Sequence, residues 1–276
     1  MLRKMSSLSQ RLRSVRNKKI VFLTGAGISA ESNIPTFRGE EGYWSVDSKN
    51  YRPTELATRM AFSEMPDDVW AWYIYRRTVC RKAEPNPGHL LLAHLEEHLD
   101  SRFLLVTQNV DGLHLRAGNS LERTYQVHGN IDYMRCWEEC CHELFPIPEE
   151  VGTLARGEHL TRDQLECLIC PRCGRRARPH VLWFDECYDE EVFRFHSSLN
   201  AAKQCGALIS VGSSGSTNLP TQMVTQASAR GAVVVDINPA GGPYAQLARA
   251  SGGFWLQENA GTGMQKVADA LGLALD

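Results

Sequence analysis

The residues able to do chemistry in this chain fall into four groups. Six of the nine cysteines lie between Cys136 and Cys173. Cys170-Pro-Arg-Cys173-Gly174 sets two thiols two residues apart, with a glycine to relax the turn, as a grip on one tetrahedral ion requires. The other half, Cys136-Trp-Glu-Glu-Cys140-Cys141, keeps three residues inside its first pair. Cys136, Cys140, Cys170 and Cys173 are the favoured ligands, with Cys141 or Cys167 able to replace one of them. Four thiolates leave no position for water, so the ion is expected to be structural zinc; loose reduced cysteines are the bland alternative. His128 closes an extended run beside Gly129, where an imidazole is free to face a cleft and transfer protons near neutral pH. Tyr73 and Arg76 stand three apart in a helical stretch, hence on one face. A phenol and a guanidinium there can bind a carboxylate with charge-assisted bonds, or can merely belong to an amphipathic helix. The last group is a turn, Thr24-Gly25-Ala26-Gly27-Ile28-Ser29, after a short apolar run at residues 20–23. A strand, two glycines and a helix start make a seat for a phosphate or pyrophosphate. The third glycine of the full dinucleotide pattern is replaced by Ala30, so an ordinary strand-to-helix turn is the plain alternative.

These groups need elements to position them. Buried strands are expected at residues 20–23, 103–107, 181–184, 207–211, 233–237 and 254–256, with an extended run at 121–127. Helices are expected over 55–80, 89–98, 190–202, 222–230 and 263–273, and a short helix-like stretch over 112–117. Pro66-Asp67-Asp68 is a good helix start, with proline early and acids in the first turn. Strands alternating with helices predict an α/β fold, a doubly wound parallel Rossmann-like sheet. Residues 37–51 read as a long ordered loop. Residues 131–180, with the cysteines, many charges and no long apolar run, read as an inserted small module. The expected division is 1–38, 86–130 and 181–276 for the dinucleotide-binding domain, 39–85 for a loop and helical lobe, and 131–180 for the zinc-binding module.

The chain has 276 residues, 43% hydrophobic and 22% charged, with formal charge −2. That is ordinary for a globular protein and gives no reason to expect specific nucleic-acid binding. No apolar run reaches the ~20 residues a membrane span needs. The first 19 residues hold seven Lys or Arg and no acid. A basic amphipathic helix packing on the sheet is favoured there, giving a cytoplasmic protein; a mitochondrial presequence is the alternative. No secretory segment is visible, so a disulfide scaffold is not expected.

Taken in series, Gly25-Ala26-Gly27-Ile28-Ser29, Phe37-Arg38, Thr107-Gln108-Asn109-Val110-Asp111, Val127-His128-Gly129-Asn130, the cysteine pairs and Gly212-Ser213-Ser214 resemble the sirtuin family of NAD-dependent protein deacylases, over residues 19–262. The resemblance implies that NAD is consumed as a co-substrate. The acyl-lysine oxygen attacks the ribose carbon bearing nicotinamide, and His128 then takes a proton from a ribose hydroxyl. Lysine and O-acyl-ADP-ribose are the expected products. Asn109 and Asp111 are implied at the nicotinamide ribose, with Gln108 and Val110 beside them. Phe37 shields the reacting face and Arg38 lies near the phosphates, which a guanidinium can bridge with two bonds. Gly212-Ser213-Ser214, Asn238 and Pro239 fall at strand ends where α/β sheets bind ligands, and Ala260 matches an adenine contact. Val181, Trp183 and Phe184 match the peptide-binding strand. Tyr73-Ile74-Tyr75-Arg76 resembles the Tyr-x-x-Arg of the desuccinylase and demalonylase branch, where Ala57 matches a residue that widens the acyl pocket. The implied partners are acylated protein lysines; the oligomeric state is not readable.

Two departures bear on the peptide groove. Phe184-Asp185-Glu186 stands where the family has Phe-Gly-Glu, and Gly215-Ser216-Thr217-Asn218-Leu219-Pro220 is glycine-rich where the family is apolar. They keep an ADP-ribosyltransferase or NAD glycohydrolase open as an alternative. A dehydrogenase and a zinc-ribbon binding module are more distant readings.

Overall fold

The computed structural model describes residues 7–35, 44–46 and 49–274. Its strands, in chain order, are β1 (Ile20–Thr24), β2 (Trp44–Val46), β3 (Lys49–Tyr51), β4 (Phe103–Thr107), β5 (Thr124–Gln126), β6 (Gly129–Cys136), β7 (Phe145–Pro146), β8 (Ala177–Val181), β9 (Ala207–Val211), β10 (Val233–Ile237) and β11 (Phe254–Leu256). Six form one sheet in the order β11-β10-β9-β1-β4-β5. All its pairings are parallel, so the connections are crossovers and helices cover both faces. That is why β1, β4, β9 and β10 read as unbroken apolar runs: each is buried end to end.

One face packs Phe22, Leu105, Ile209 and Val235 against Leu12, Leu92, Leu95, Met264 and Val267 of the helices Leu8–Ser14, Pro87–Leu99 and Ala260–Leu271. The basic N-terminal stretch is thus, over residues 8–14, a helix docked through Leu12 and capped by Ser7. The other face packs Val21, Leu23, Leu208 and Val234 against Leu199, Met223, Val224 and Ala248 of the helices Phe195–Gln204, Asn218–Ala229 and Pro243–Ala250.

A second core lies beside the sheet. Leu56, Phe62, Trp70, Tyr73 and Ile74 meet Ile131, Met134, Ile147, Leu168, Ala177 and Trp183. The helical lobe and the cysteine-bearing segment therefore share one apolar interior. The segment is framed by an antiparallel sheet, β7-β6-β8. Gly129, at φ +90, begins β6 where any Cβ would run into the carbonyl of His180. Only glycine allows the start of β6 to lie this close to the end of β8.

Several element boundaries differ from the sequence reading. The strand expected at 181–184 is β8, Ala177–Val181, displaced toward the N-terminus because its pairing partner is β6 in the small sheet. The single helix expected over 55–80 is three, Pro53–Leu56, Arg59–Glu64 and Pro66–Lys82, each restarted by Pro53, Thr58 or Pro66. Within the loop at 37–51, β2 and β3 pair as a short hairpin. No helix among the described residues is long and apolar enough to cross a membrane.

Candidate active site

Strand register places the site. Thr24 is level with Thr107 on one side and Val211 on the other, Val211 with Ile237, and Thr107 with Gln126. The residues that follow, Gly25, Gln108, Gly212, Asn238 and His128, consequently leave the sheet along one edge. The strand order reverses at β1 and β9, where ligands of open α/β sheets bind.

The glycines of the corner serve a packing purpose. A Cβ on Gly27 would lie 2.6 Å from Gly212 Cα, and one on Gly25 2.9 Å from the Gly212 carbonyl. Gly212 itself sits at φ +61. Gly25 N–H donates to the Val211 carbonyl at 3.0 Å and Gly27 N–H to the Gly212 carbonyl at 2.9 Å. These two N–H groups are thus already engaged within the chain. The corner therefore has fewer free donors to offer a ligand than its glycine pattern implied. Asn86 braces it from behind, its Nδ2 donating to the Ile28 carbonyl at 2.7 Å and to Ser32 Oγ at 2.9 Å.

Polar side chains join the corner to the loop after β4. Asn109 Nδ2 donates to the Gly25 carbonyl at 3.2 Å and to Ser29 Oγ at 3.0 Å. Ser29 Oγ donates to Asp111 Oδ2 at 2.7 Å, and Leu113 N–H caps Asp111 Oδ1 at 3.0 Å. Burial raises the Asp111 pKa, while the Leu113 and Ser29 donors oppose the shift. Gln108 Nε2 donates to Ser213 Oγ at 2.9 Å, and Thr217 Oγ1 donates to Gln108 Oε1 at 2.7 Å. Asn238 Nδ2 reaches the Ser213 carbonyl at 3.1 Å. Val110 is half-buried beside this network; Ser214 and Pro239 are exposed at its rim. Ala260 is buried at the start of its helix, in one core with Ile28. Phe37 and Arg38 lie outside the described residues.

His128 is half-buried at the same edge. Its Nδ1 lies 2.9 Å from the Gln108 carbonyl and its Nε2 2.7 Å from the Tyr188 hydroxyl. A carbonyl only accepts, so Nδ1 carries the proton and Nε2 is the basic nitrogen. Burial lowers the His128 pKa to about 4, against the pull of the Gln108 carbonyl. The imidazole is therefore neutral, and able to accept a proton, across the physiological range.

A second set of groups surrounds the chain after β8, where Leu182 N–H donates to the His128 carbonyl at 3.0 Å. Tyr73 is buried, and Trp183 Nε1 donates to its hydroxyl at 2.9 Å. Burial pushes the phenol up to about 12, and nearby Arg76 pulls it back. Arg76 lies 4.9 Å over the Trp72 ring. Ala57 is buried, its carbonyl accepting from Phe184 N–H at 3.0 Å; Val181 is buried and Phe184 exposed. Asp185 is engaged within the chain. Its carboxylate accepts Arg59 N–H at 2.8 Å and Met60 N–H at 3.3 Å, capping the helix Arg59–Glu64 from another segment. Glu186 is bound by Arg178 and lies 3.4 Å from both Arg59 and Arg135. It also takes Trp183 N–H at 2.9 Å, which fixes the turn carrying Trp183.

The cysteines sort as the spacing favoured. Cys136 Sγ is 3.6 Å from Cys173 Sγ, and Cys140 Sγ 3.6 Å from Cys170 Sγ; all four lie within 4.8 Å of one another. Thiolates at ~2.3 Å around a tetrahedral zinc stand about 3.8 Å apart, so the quartet fits that ion. Cys167 instead donates to the Asp163 carbonyl at 3.2 Å, and Cys141 is outside the cluster. The larger loop between Cys136 and Cys140 is accommodated by Glu139 at φ +54.

Tyr188, Thr217 and Asn86 escaped sequence reasoning. Asn86 carried a usable signal as a helix cap between two prolines; Tyr188 and Thr217 carried none.

Residues 25–218 match the Sir2 family profile. An NAD-dependent protein deacylase of Thermus thermophilus is 40% identical over 237 residues, 85% of this chain and 84% of that protein. The Danio rerio NAD-dependent protein deacylase sirtuin-5 is 35% identical over 233 residues, 80% of this chain and 74% of that one. A Sir2 homologue solved with NAD superposes with a TM-score of 0.77 at 30% identity, over 98% of this chain and 96% of the other. Parallel strands whose ends line one edge, a neutral imidazole at that edge and these likenesses have one explanation: the chain belongs to the Sir2 family of NAD-dependent protein deacylases.

Proposed function

We propose that this deacylase prefers lysines carrying a short dicarboxylic acyl group, succinyl or malonyl, over acetyl-lysine. The observation that carries the proposal is the bond from Trp183 Nε1 to Tyr73. An indole N–H only donates, so it occupies a phenol lone pair and leaves the Tyr73 proton for another acceptor. Arg76 follows one turn later on the same helix, close enough to lower the Tyr73 pKa. A carboxylate could accept charge-assisted bonds from both groups, and an acetyl methyl from neither. Ala57 keeps the neighbouring wall small.

In the reaction, the corner and Asn109 hold the dinucleotide so that its nicotinamide ribose faces His128. The acyl oxygen displaces nicotinamide, and His128 Nε2 accepts a proton from a ribose hydroxyl. That hydroxyl oxygen captures the acyl carbon; water releases lysine and O-acyl-ADP-ribose. Ser29 and Asp111 orient Asn109. Gln108 and Ser213 hold the two loops in register, and Asn238, fixed to Ser213, meets the adenosine side. Cys136, Cys140, Cys170 and Cys173 would hold zinc away from this chemistry, as a brace for the small sheet. The 131–180 segment is read as one module on that brace, and 1–38 with 86–130 and 181–276 as the dinucleotide-binding domain.

The test is a set of matched succinyl-, malonyl- and acetyl-lysine peptides incubated with NAD, with products identified by mass. Succinyl or malonyl turnover should exceed acetyl turnover, and Arg76→Met should abolish the preference. Equal turnover in the native enzyme, or an unchanged preference in the variant, would refute it.

A further inference from the structure

The connection between β8 and the helix Phe195–Gln204 carries Tyr188, whose hydroxyl meets the basic nitrogen of His128 at 2.7 Å. Because Nδ1 donates to the Gln108 carbonyl, Nε2 has no proton, and the phenol must be the donor. The phenol is held in place. Its ring stacks on Phe195 with centroids 5.9 Å apart and planes at 24°, and it packs on the core containing Leu199 and Tyr244. Gln108, His128 and Tyr188 therefore form one line of hydrogen bonds that fixes tautomer and ring plane together.

We propose that Tyr188 is a positioning residue for the base: it points the acceptor nitrogen of His128 at the sugar end of the dinucleotide seat and yields that nitrogen to the ribose hydroxyl when NAD binds. This rests on the reading of His128 as the base. The exchange replaces one neutral O–H donor by another, so no covalent bond changes and no proton moves. When the ribose proton later passes to Nε2, the new N–H can donate back to the Tyr188 oxygen. Tyr188 keeps its own proton throughout: burial, with Tyr244 adding to it, pushes the phenol up to about 12. Before NAD arrives, the phenol keeps solvent off the nitrogen.

Among the described residues, no ionised side chain contributes to the His128 shift; burial and the Gln108 carbonyl are its causes. Loss of the Tyr188 donor should thus be visible in the titration of His128. In Tyr188→Phe the ring and its stacking remain. Isotope-labelled His128, followed by NMR without substrate, should titrate ~0.4–1 pH unit lower, because the protonated ring loses a charge-assisted bond to the Tyr188 oxygen that outweighs the neutral ring's bond. The acidic limb of kcat/KM should move down with it. With the competitor gone, KM for NAD should fall while kcat drops a few fold. An unchanged His128 titration, or unchanged KM and kcat, would overturn the proposal. His128→Ala separates the two readings: if deacylation survives there, the base assignment fails, whereas the titration in Tyr188→Phe reports the hydrogen bond itself.

Discussion

At the scale of single residues, the site depends on side chains whose hydrogen-bonding valences are already assigned. His128 has one nitrogen tied to Gln108, so its replacement by alanine should lower kcat on the order of 10²–10⁴-fold while leaving NAD affinity within a few fold. Isothermal titration with NAD, alongside nicotinamide release on an acylated peptide, would show both. Trp183→Phe keeps the ring that Arg178 covers but removes the donor to Tyr73. The ratio of succinyl to acetyl turnover should drop about fivefold, the value of one orienting hydrogen bond. The place of His128 at a strand end was legible in the sequence through its setting in Val127-His128-Gly129-Asn130, downstream of Gln108-Asn109-Val110-Asp111. Tyr188 was not: it reaches that histidine from 60 positions away, and no spacing rule spans a crossover.

Elements were legible where periodicity ran long and blurred where pairing decided. The five-residue strands β1, β4, β9 and β10 announced themselves as apolar runs buried on both faces. β8 did not, since its Arg178 and His180 are polar yet buried, held by Glu186 and by stacking on Phe193. Asp185 shows how a departure from a familiar pattern can be structural. Its oxygens meet the first two N–H groups of the helix Arg59–Glu64, where a carboxylate also suits the helix dipole. Asp185→Ala should cost about 1 kcal/mol in urea unfolding and leave NAD binding intact. The small sheet has a different dependence. Four sulfurs draw its two cysteine-bearing loops together, so a strong chelator should open residues 137–176 to protease while the six-stranded sheet stays protected. Uniform protection after metal removal would show the brace to be dispensable.

For the molecule as a whole, the buried titratable groups set an acid limit. Burial lowers His89 and His128 to about 4 and His180 to about 3, from an ordinary value of 6.5. The unfolded chain binds these protons first, so stability is full above about pH 6.5 and declines as pH falls toward 4 and 3. Asp236 runs the other way: burial raises it to about 6, so its contribution is lost as pH rises from about 4 through 6. Burial also lowers His114 well below 6.5, and four histidines against the two raised carboxyls, Asp111 and Asp236, leave the balance with acid lability, so the melting temperature should fall between pH 6.5 and 4. A flat profile there would mean these rings reach solvent. The glycine corner has a consequence at this scale too. Gly25, Gly27 and Gly212 meet with no room for a methyl group between them. The crossovers after β1 and β9 are in effect riveted, so no mutational drift can slide one past the other. A library that randomised these three positions to retune NAD affinity would return glycine at each. Useful variation would have to come from the exposed lip, at Ser214 and Pro239.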